Sequence, residues 1–435
     1  MSSHIPAMKK FFQLMMLSLS IRSDIYAQNF QVLEYLKSIS GVKTIAGQHN
    51  REPNTQPAKW TNEIYKTTGK YPALWSGDFL FQSENIAARW TMIYEAERQW
   101  QKGAVVQLLL HTCPPVHGEP CVWDGGVLSK LTNSQWNELI SDGTTLNRNW
   151  KKRLDDISVY LEYLKSKGVE VLFRPIHEMN QSAFWWGGRP GSKGTLRLYQ
   201  ITHDYLTKEK GLTNLIWVWD VQDLSWDFES YNPGDTYWDI MAFDVYSDGY
   251  NKKWYDYILT IAKDKPIAIG ECDKLPSLSM LRQQPRWTFF MAWAELVYSK
   301  NSNSEIRTIY NGENVITLDE MPGWKSTNTK GDADGVPTKF ALEQNYPNPF
   351  NPTTMIDYQI PQPGNVSLKI FDLLGNEIVT LVNEYQPAGK YSVHFEAKSL
   401  YASAKGRGTV WPSSVYFYRL NMGNLIDVKK MMLIR

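Results

Sequence analysis

The stretch VLFRPIHEMN, from Val171 to Asn180, decides the fold, together with the FWWGG run that follows it. An apolar segment rich in β-branched and aromatic residues stops abruptly at the reactive side chains of Arg174, His177 and Glu178. A helical pattern precedes this segment, and a polar, glycine-rich loop follows it. The carboxyl end of a buried parallel strand has this pattern, and parallel barrels collect their chemistry at that end. The sequence therefore predicts that Glu178 lies at the mouth of a barrel, beside a guanidinium, an imidazole and the amide of Asn180.

Between residues 40 and 295, short apolar runs alternate with amphipathic segments. The candidate strands are KTIAG (43–47), YPALW (71–75), AVVQLLL (104–110), VEVLF (169–173), NLIWVW (214–219), DIMAF (239–243), PIAIG (266–270) and WTFFMAW (287–293). The clearest helical patterns are Ala87–Lys102, Lys151–Lys167 and Leu196–Lys208. Eight strands alternating with helices over roughly 250 residues predict a (β/α)₈ TIM barrel. An open doubly wound sheet is the rival fold, but no glycine-rich phosphate loop follows the first strand.

The composition points to a class of partner. The chain has 435 residues, a length that suits one large domain and a smaller one. Its 46 basic and 45 acidic residues nearly cancel, which argues against nucleic acid or an anionic membrane surface as partner. The 18 Trp exceed what packing requires. Flat indole faces with a polar edge suit sugar rings, so the composition favours a carbohydrate partner.

The first residues have the pattern of a secretion signal. Lys9 and Lys10 precede an apolar run at 11–19, and Ala27 offers a small residue for cleavage. We therefore expect residues 1–27 to be a signal peptide and the protein to be exported. No later stretch is long and apolar enough to span a bilayer.

Three cysteines fit an exported protein that uses few disulfides. Cys113 and Cys121 lie in a loop rich in proline and glycine and form a plausible local bridge, whereas Cys272 is expected to stay free. Because no matching histidine spacing accompanies them, a zinc site is improbable, and we expect no metal.

The texture of the chain changes after Trp324. Residues 325–339 are small, polar and turn-rich, which predicts a linker between a barrel domain at 28–324 and a second domain. From 340 to 435, short alternating runs are separated by Pro, Gly and Asn, which predicts a small all-β sandwich.

A second strand end resembles the first. PIAIGECD places Glu271 directly after an apolar run, so Glu178 ends the fourth strand and Glu271 the seventh. In a closed barrel these ends face each other, and two facing carboxylates are what glycoside hydrolysis requires. The alternative is that either glutamate forms a strand-end ion pair. An esterase would need a serine nucleophile elbow, and no such pattern is present.

These motifs resemble a known family. RPIHEMN followed by FWWG, with PIAIGE downstream, is similar to glycoside hydrolase family 26, whose best-known members are endo-β-mannanases. The resemblance runs from about Gly41 to Trp293 and includes IAGQHN and DVYSD. It implies a (β/α)₈ barrel of the retaining clan. It places the catalytic acid/base on Glu178 and the nucleophile on Glu271.

The resemblance also implies polar residues that bind the substrate. His177 would contact sugar and orient the acid, with a satisfied core histidine as the alternative. His111, at the end of the third strand, would bind substrate or anchor a loop. Asp244 and Tyr246 end the sixth strand, and the tyrosine would hydrogen-bond the nucleophile.

The remaining predicted site residues are one cation and three indoles. Arg174 would hold the nucleophile ionised, with a purely structural role about as plausible. Trp293 would form the platform under the cleaved sugar, or pack as a core aromatic. Of Trp185 and Trp186, one is expected to line the cleft and the other to pack beneath it. Asp78, at the end of the second strand, is a loop-anchoring candidate.

Two departures from the family concern sugar contacts. Ala183 stands where mannanases of the family often carry an aromatic, and Ala294 where they often carry a basic residue. The prediction is a retaining endo-β-1,4-mannanase that needs no cofactor and acts as a monomer on β-mannan or a related plant polysaccharide. The alternatives are the same mechanism on mixed-linkage β-glucan or β-1,3-xylan, and a non-catalytic glycan-binding protein.

The C-terminal domain carries a resemblance of its own. FALEQNYPNPFNPTTMIDYQIP, FDLLGNEI and the ending SVYFYRL…KKMMLIR are similar to the type A sorting domain of the type IX secretion system of Bacteroidetes and relatives. This implies passage across the outer membrane by that machinery, followed by release or retention at the cell surface. Without the resemblance, Trp411 and several tyrosines would favour a carbohydrate-binding sandwich.

Overall fold

The structure, a computed structural model, describes residues 29–247, 249–324, 337, 339–397 and 411–434. The predicted signal peptide at 1–27 lies outside the described residues, as does most of the predicted linker at 325–339. Among the helices of the described ranges, none combines the length and the apolar character needed to cross a membrane.

Eight parallel strands close into a barrel. They are β1 (Thr44–His49), β2 (Leu74–Asp78), β3 (Val105–Leu110), β4 (Val171–Pro175), β5 (Leu215–Gln222), β6 (Ile240–Val245), β7 (Ile267–Cys272) and β8 (Trp287–Ala292). Each strand pairs with the next, and β1 pairs with both β2 and β8, so the sheet has no free edge. The predicted (β/α)₈ barrel is confirmed, and the open doubly wound alternative is wrong. A short β9 (Val315–Ile316) adds to β1.

Helices cover the outside of this barrel. They are α1 (Gln31–Ile39), α2 (Lys59–Thr68), α3 (Ser83–Ala87), α4 (Arg89–Gln101), α5 (Asn133–Leu139), α6 (Thr145–Ser166), α7 (Thr195–Asp204), α8 (Lys252–Ala262), α9 (Leu278–Gln283), α10 (Leu296–Lys300) and α11 (Asn303–Tyr310). The predicted helix at 151–167 begins earlier than expected, because Thr144 caps α6 by accepting a hydrogen bond from the Asn147 N–H. The third predicted helix ends as a π-helical turn, Tyr205–Glu209.

All eight barrel strands are buried on both faces, because side chains fill the barrel interior while helices cover its exterior. This explains why their sequences read as continuous apolar runs rather than as alternating ones. The charged residues inside the strands gather at their carboxyl ends, which form one face of the barrel.

The C-terminal region consists of two antiparallel sheets, as expected for a small all-β domain. Its strands are β10 (Ala341–Leu342), β11 (Thr353–Ile360), β12 (Gly364–Phe371), β13 (Glu377–Gln386), β14 (Gly389–Glu396), β15 (Ser414–Met422) and β16 (Leu425–Leu433). One sheet has the order β10-β11-β14 and the other β13-β12-β15-β16. Trp411 is buried between Phe395 and Tyr416, so its indole is not an exposed sugar-binding face.

The sandwich contacts the outside of the barrel rather than its mouth. The Tyr346 ring stacks on Tyr163 of α6, with centroids 5.3 Å apart, and meets the edge of Trp90 of α4. Beyond the end of α6, Lys167 forms an ion pair with Asp357 of β11.

Candidate active site

A cavity of about 560 Å³ opens at the carboxyl ends of the barrel strands. This volume is typical of a small-molecule site. The predicted site residues that line it are His111, His177, Glu178, Tyr246, Glu271 and Trp293. The other four predicted residues, Arg174, Asp244, Trp185 and Trp186, are buried behind the wall.

Glu178 is presented by a strained turn directly after β4. Ile176 and Glu178 both adopt the left-handed backbone conformation, with φ of 53° and 49°. Such a conformation is a genuine outlier for a β-branched residue, and it persists only where its surroundings enforce it. Two hydrogen bonds of 2.8 Å between the Asn180 side chain and the Gln222 backbone help to hold this turn. A third contact comes from Asp220, whose carboxylate accepts a hydrogen bond from the Glu178 N–H at 3.0 Å.

Glu271, near the end of β7, is held by two donors. The Tyr246 hydroxyl donates to one carboxylate oxygen at 2.7 Å, and Arg174 donates to the other. The same guanidinium also bonds Asp220 at 2.8 Å and Asp244 at 2.9 Å, so one buried cation organises three buried carboxylates. Bonds of this charge-assisted kind are the stronger ones in proteins.

Glycine at 270 makes this packing possible. A Cβ at Gly270 would lie 2.6 Å from Asp244 Oδ1 and 3.1 Å from Arg174 Nη1. The backbone of β7 therefore lies directly against the ion cluster, and any larger residue would displace Glu271 relative to its donors.

The two glutamates differ in their tendency to hold a proton. Burial, together with the charges of Glu271 and Asp220, raises the pKa of Glu178 well above its usual range. Burial also raises the pKa of Glu271, but the Arg174 charge and the Tyr246 hydrogen bond oppose the rise. Of the two carboxyls, Glu178 is therefore the one that holds a proton more readily, and Glu271 the one that ionises more readily.

The carboxylates of Glu178, Asp244 and Glu271 each have an oxygen within 4.8 Å of one another. Such a group could in principle hold a cation. Arg174 already bonds Asp244 and Glu271, however, so a metal ion would have to displace a buried guanidinium.

Two histidines adjoin the acid. The rings of His111 and His177 meet edge to face, 4.4 Å apart. Asp78 accepts hydrogen bonds from His111 Nδ1 at 2.5 Å and from the backbone N–H groups of His111 and Leu80. Because a carboxylate only accepts, Nδ1 of His111 carries a proton. Burial, followed by the charge of His111, lowers the pKa of His177 well below its usual range, so its imidazole is neutral.

The aromatic wall differs in part from the sequence-based expectation. Trp293 lines the cavity, and its indole stacks on His49 with centroids 4.1 Å apart. Neither Trp185 nor Trp186 lines the cavity, because their indole N–H groups are used on the backbone carbonyls of Thr112 and His177. The expectation that one of these two indoles lines the cleft is therefore corrected. Phe184 takes that place, stacked on Trp186.

Four residues that contact the site residues or line the cavity were not predicted from the sequence. Asp220 directly follows the predicted apolar run at 214–219, so the rule that picked out Glu271 would have found it. Gln181 lies inside the analysed motif and donates to Glu178, but a glutamine in a loop carries no signal of its own. The His49 stack and the half-exposed Trp123 on the cavity wall depend on tertiary contacts that no local pattern reveals.

A closed parallel barrel with two facing glutamates at its mouth is the architecture of a glycoside hydrolase. Residues 22–320 match the model of Glycosyl hydrolase family 26, and the chain belongs to that family. The structure of GH26A from Muricauda sp. MAR_2010_75 is similar at 35% identity and a TM-score of 0.64, covering 66% of this chain and 95% of that one.

Further relatives match between 60% and 68% of the chain. A β-mannanase from a symbiotic protist of the termite Reticulitermes speratus, solved with a gluco-manno-oligosaccharide, has 26% identity and a TM-score of 0.60, covering 68% of this chain and 96% of that one. The mannan endo-1,4-beta-mannosidase of Thermothelomyces thermophilus is 31% identical over 308 residues, 68% of this chain. This chain spans 61% of the length of that relative. A Bacillus subtilis protein of the same name is 30% identical over 287 residues, 60% of this chain and 77% of its own.

Proposed function

We propose that this protein hydrolyses β-1,4-mannosidic bonds within mannan-type polysaccharides and does so with retention of anomeric configuration. The observation that carries the proposal is the pairing of Glu178 and Glu271, whose oxygens approach within 4.8 Å. Retaining glycosidases place their carboxyl groups about 5–5.5 Å apart, whereas inverting enzymes need about 6.5–9.5 Å to admit a water. The names of the curated relatives support mannan as the polymer.

The first step forms a covalent intermediate. Ionised Glu271 attacks the anomeric carbon while protonated Glu178 donates its proton to the glycosidic oxygen, and the bond between that carbon and oxygen breaks. The fragment on the reducing-end side leaves as an alcohol, and the other fragment stays on Glu271 as an ester.

The second step returns the enzyme to its starting state. Glu178, now ionised, takes a proton from a water whose oxygen attacks the same carbon, and the ester bond to Glu271 breaks. Carboxylates and water account for every atom transferred, so the proposed reaction uses no cofactor.

The neighbours of the pair have assignable tasks in this reaction. Arg174 and Tyr246 keep Glu271 ionised and aimed. Burial raises the pKa of Tyr246 well above its usual range, so its hydroxyl remains a donor. His111, His177 and Trp293 line the cavity with polar edges and an apolar face that suit a pyranose ring.

Reducing-end release from β-mannan, mixed-linkage β-glucan and β-1,3-xylan tests the proposal. We expect hydrolysis of mannan, with the β-anomer formed first when products are followed by NMR. Hydrolysis of glucan or xylan alone would keep the mechanism and change the substrate. Tight glycan binding without new reducing ends would favour a non-catalytic binding protein and overturn the proposal.

We further propose that the protein is exported and reaches the cell exterior through the type IX secretion machinery, as a monomer. The sequence motifs of the C-terminal domain support this, together with its two small antiparallel sheets. Fusing residues 340–435 to a periplasmic reporter tests it in a bacterium that has the machinery. We expect the reporter in the medium or on the surface, and retention in the periplasm would contradict the proposal.

A further inference from the structure

A second recess opens beside the catalytic cavity. Its volume is about 470 Å³, and it shares three wall residues with the cavity: Leu128, Gln181 and Ala183. Ala183 contributes only a methyl group to the shared wall, so no large side chain at this position separates the two spaces.

The shared wall is fixed relative to the acid. The Gln181 side chain donates to the Glu178 carboxylate and accepts the Ala183 N–H at 3.0 Å. The Gly187 backbone packs directly against this segment, since a Cβ there would lie 2.2 Å from the Gln181 carbonyl oxygen. These contacts hold the Gln181–Ala183 part of the recess wall in a fixed position beside Glu178.

The position of the acid decides which part of a substrate lies nearby. Glu178 has to reach the glycosidic oxygen, so the leaving sugar is bound on its side of the cavity. Gln181 lies between Glu178 and the recess. Whatever fills the recess is thus attached to the leaving sugar or belongs to it.

The lining of the recess differs from that of the cavity. Besides the shared residues it contains Ser129, Lys130, Ser182 and Leu224, and among the described lining residues none is aromatic or acidic. The cavity, in contrast, offers the rings of Phe81, Trp123 and Phe184, on which backbone sugars can stack. This lining suits a sugar ring whose hydroxyl groups form hydrogen bonds with the protein. The serine hydroxyls and the lysine ammonium group can bond them, and the leucine side chain can contact the apolar part of the ring.

We propose that this recess binds a neutral hexopyranosyl branch carried by the sugar on the leaving-group side of the cleaved bond. The proposal rests on the proposed function, because it assumes a branched mannan-type substrate. It makes the protein an enzyme that accepts a branch next to the scissile bond rather than one that requires a bare chain there.

Manno-oligosaccharides of equal backbone length, linear or with a single α-1,6-galactosyl branch, test the proposal with the full-length protein. Cleavage beside a branched leaving sugar yields a fragment whose branch lies on its non-reducing terminal mannose. We expect the wild type to form this fragment. Leu224→Trp should fill the recess, and Lys130→Ala should remove its cation. We expect each variant to lower kcat/KM for the branched substrate about tenfold, which for Lys130→Ala is roughly the loss of one charged hydrogen bond.

Three controls separate the outcomes. Both variants should keep kcat/KM for the linear substrate within about twofold, since neither residue lines the catalytic cavity. Lys66→Ala, which removes an exposed lysine of α2, should change neither substrate. Absence of the branched-end fragment, or equal losses on both substrates, would overturn the branch site. Failure of the wild type on the linear substrate would instead overturn the proposed function, and the branch site with it.

Discussion

The ends of β4 and β7 each deliver a buried glutamate to the same cavity, yet they surround it differently. Glu271 is held by two donors: Arg174, which projects from β4, and Tyr246, which directly follows β6. Glu178 lies in a strained turn, and its carboxylate receives one side-chain hydrogen bond, from Gln181 of the following loop.

Burial cannot distinguish the two residues, because it raises the pKa of both. The difference comes from the neighbours: a buried cation and a phenol favour the charged form of Glu271, whereas the charge of Glu271 itself favours the protonated form of Glu178. Two identical side chains thereby differ in how readily they ionise, which is what the proposed nucleophile and acid require.

Removing either carboxylate is expected to have the largest effect. Glu271→Ala and Glu178→Ala should each lower kcat on mannan by at least about 10³-fold, because each removes a group that bonds or protonates the reacting atoms. A dinitrophenyl glycoside with azide distinguishes their roles. Glu178→Ala should be rescued to the β-glycosyl azide, and Glu271→Ala to the α-glycosyl azide.

Circular dichroism and thermal unfolding provide the control for these variants, which should fold like the wild type. The opposite pairing of anomers would reverse the two assignments. Unchanged hydrolysis of mannan by either variant would remove the glutamate in question from the mechanism.

Replacing Arg174 tests the cation of the β7 side. Arg174→Met leaves Glu271, Asp220 and Asp244 buried without a counter-charge, so we expect the free energy of unfolding to fall by about 3–5 kcal/mol at pH 7. Burial already raises the folded-state pKa values of these carboxyls, and loss of the Arg174 charge would raise them further. The loss of stability relative to the wild type should therefore grow as pH rises through the wild-type folded-state values and be smaller in mild acid.

Urea unfolding at pH 5 and pH 7 measures this dependence. Arg174→Lys serves as the matched variant, since it keeps the charge but cannot bond three carboxylates with a planar fork. It should recover part of the stability and little of the activity. A loss for Arg174→Met that is the same at both pH values would show that the cluster is not held by charge.

Tyr246→Phe removes the second donor to Glu271 and should have a smaller effect. A hydrogen bond to a charged group contributes about 1.5–3 kcal/mol, so kcat/KM should fall by roughly 10- to 150-fold. Because the bond lowers the pKa of Glu271, its loss should move the acidic limb of the kcat/KM profile to higher pH. Tyr250→Phe, which loses a bond to the Lys274 carbonyl instead, should leave that limb in place.

The order of elements could be predicted because each strand of a parallel barrel is buried on both faces and appears in the sequence as an apolar run. The residues at which several strands end could not be predicted. The run at 71–75 corresponds to β2 at Leu74–Asp78, and the run at 266–270 to β7 at Ile267–Cys272. Polar residues such as Asp78 and Glu271 interrupt the apolar pattern although they still pair within the sheet, because the site is built into the strand ends.

The sequence allowed the two glutamates of the site to be predicted, but not all of the residues that surround them. Glu178 and Glu271 each come after an apolar run, and that position is visible in the sequence. Which aromatic lines the wall is not visible. Phe184 and Trp186 are two residues apart and both are buried, but Phe184 lines the cavity whereas Trp186 donates its indole N–H to the His177 carbonyl. Such choices depend on contacts between loops, which no periodicity encodes.

Gln181→Leu is expected to have the smallest effect on rate, and it sharpens the comparison from the side of β4. Loss of one hydrogen bond of about 1 kcal/mol should lower kcat/KM about fivefold. The bond lowers the pKa of Glu178, so its removal should raise that pKa and move the basic limb of the profile to higher pH. Tyr246→Phe moves the acidic limb, and Gln181→Leu should leave that limb unchanged. A purely structural role for Gln181 would lower the rate without moving either limb. A shift of the acidic limb would mean that Gln181 acts on Glu271, and the division between the two strand ends would then be wrong.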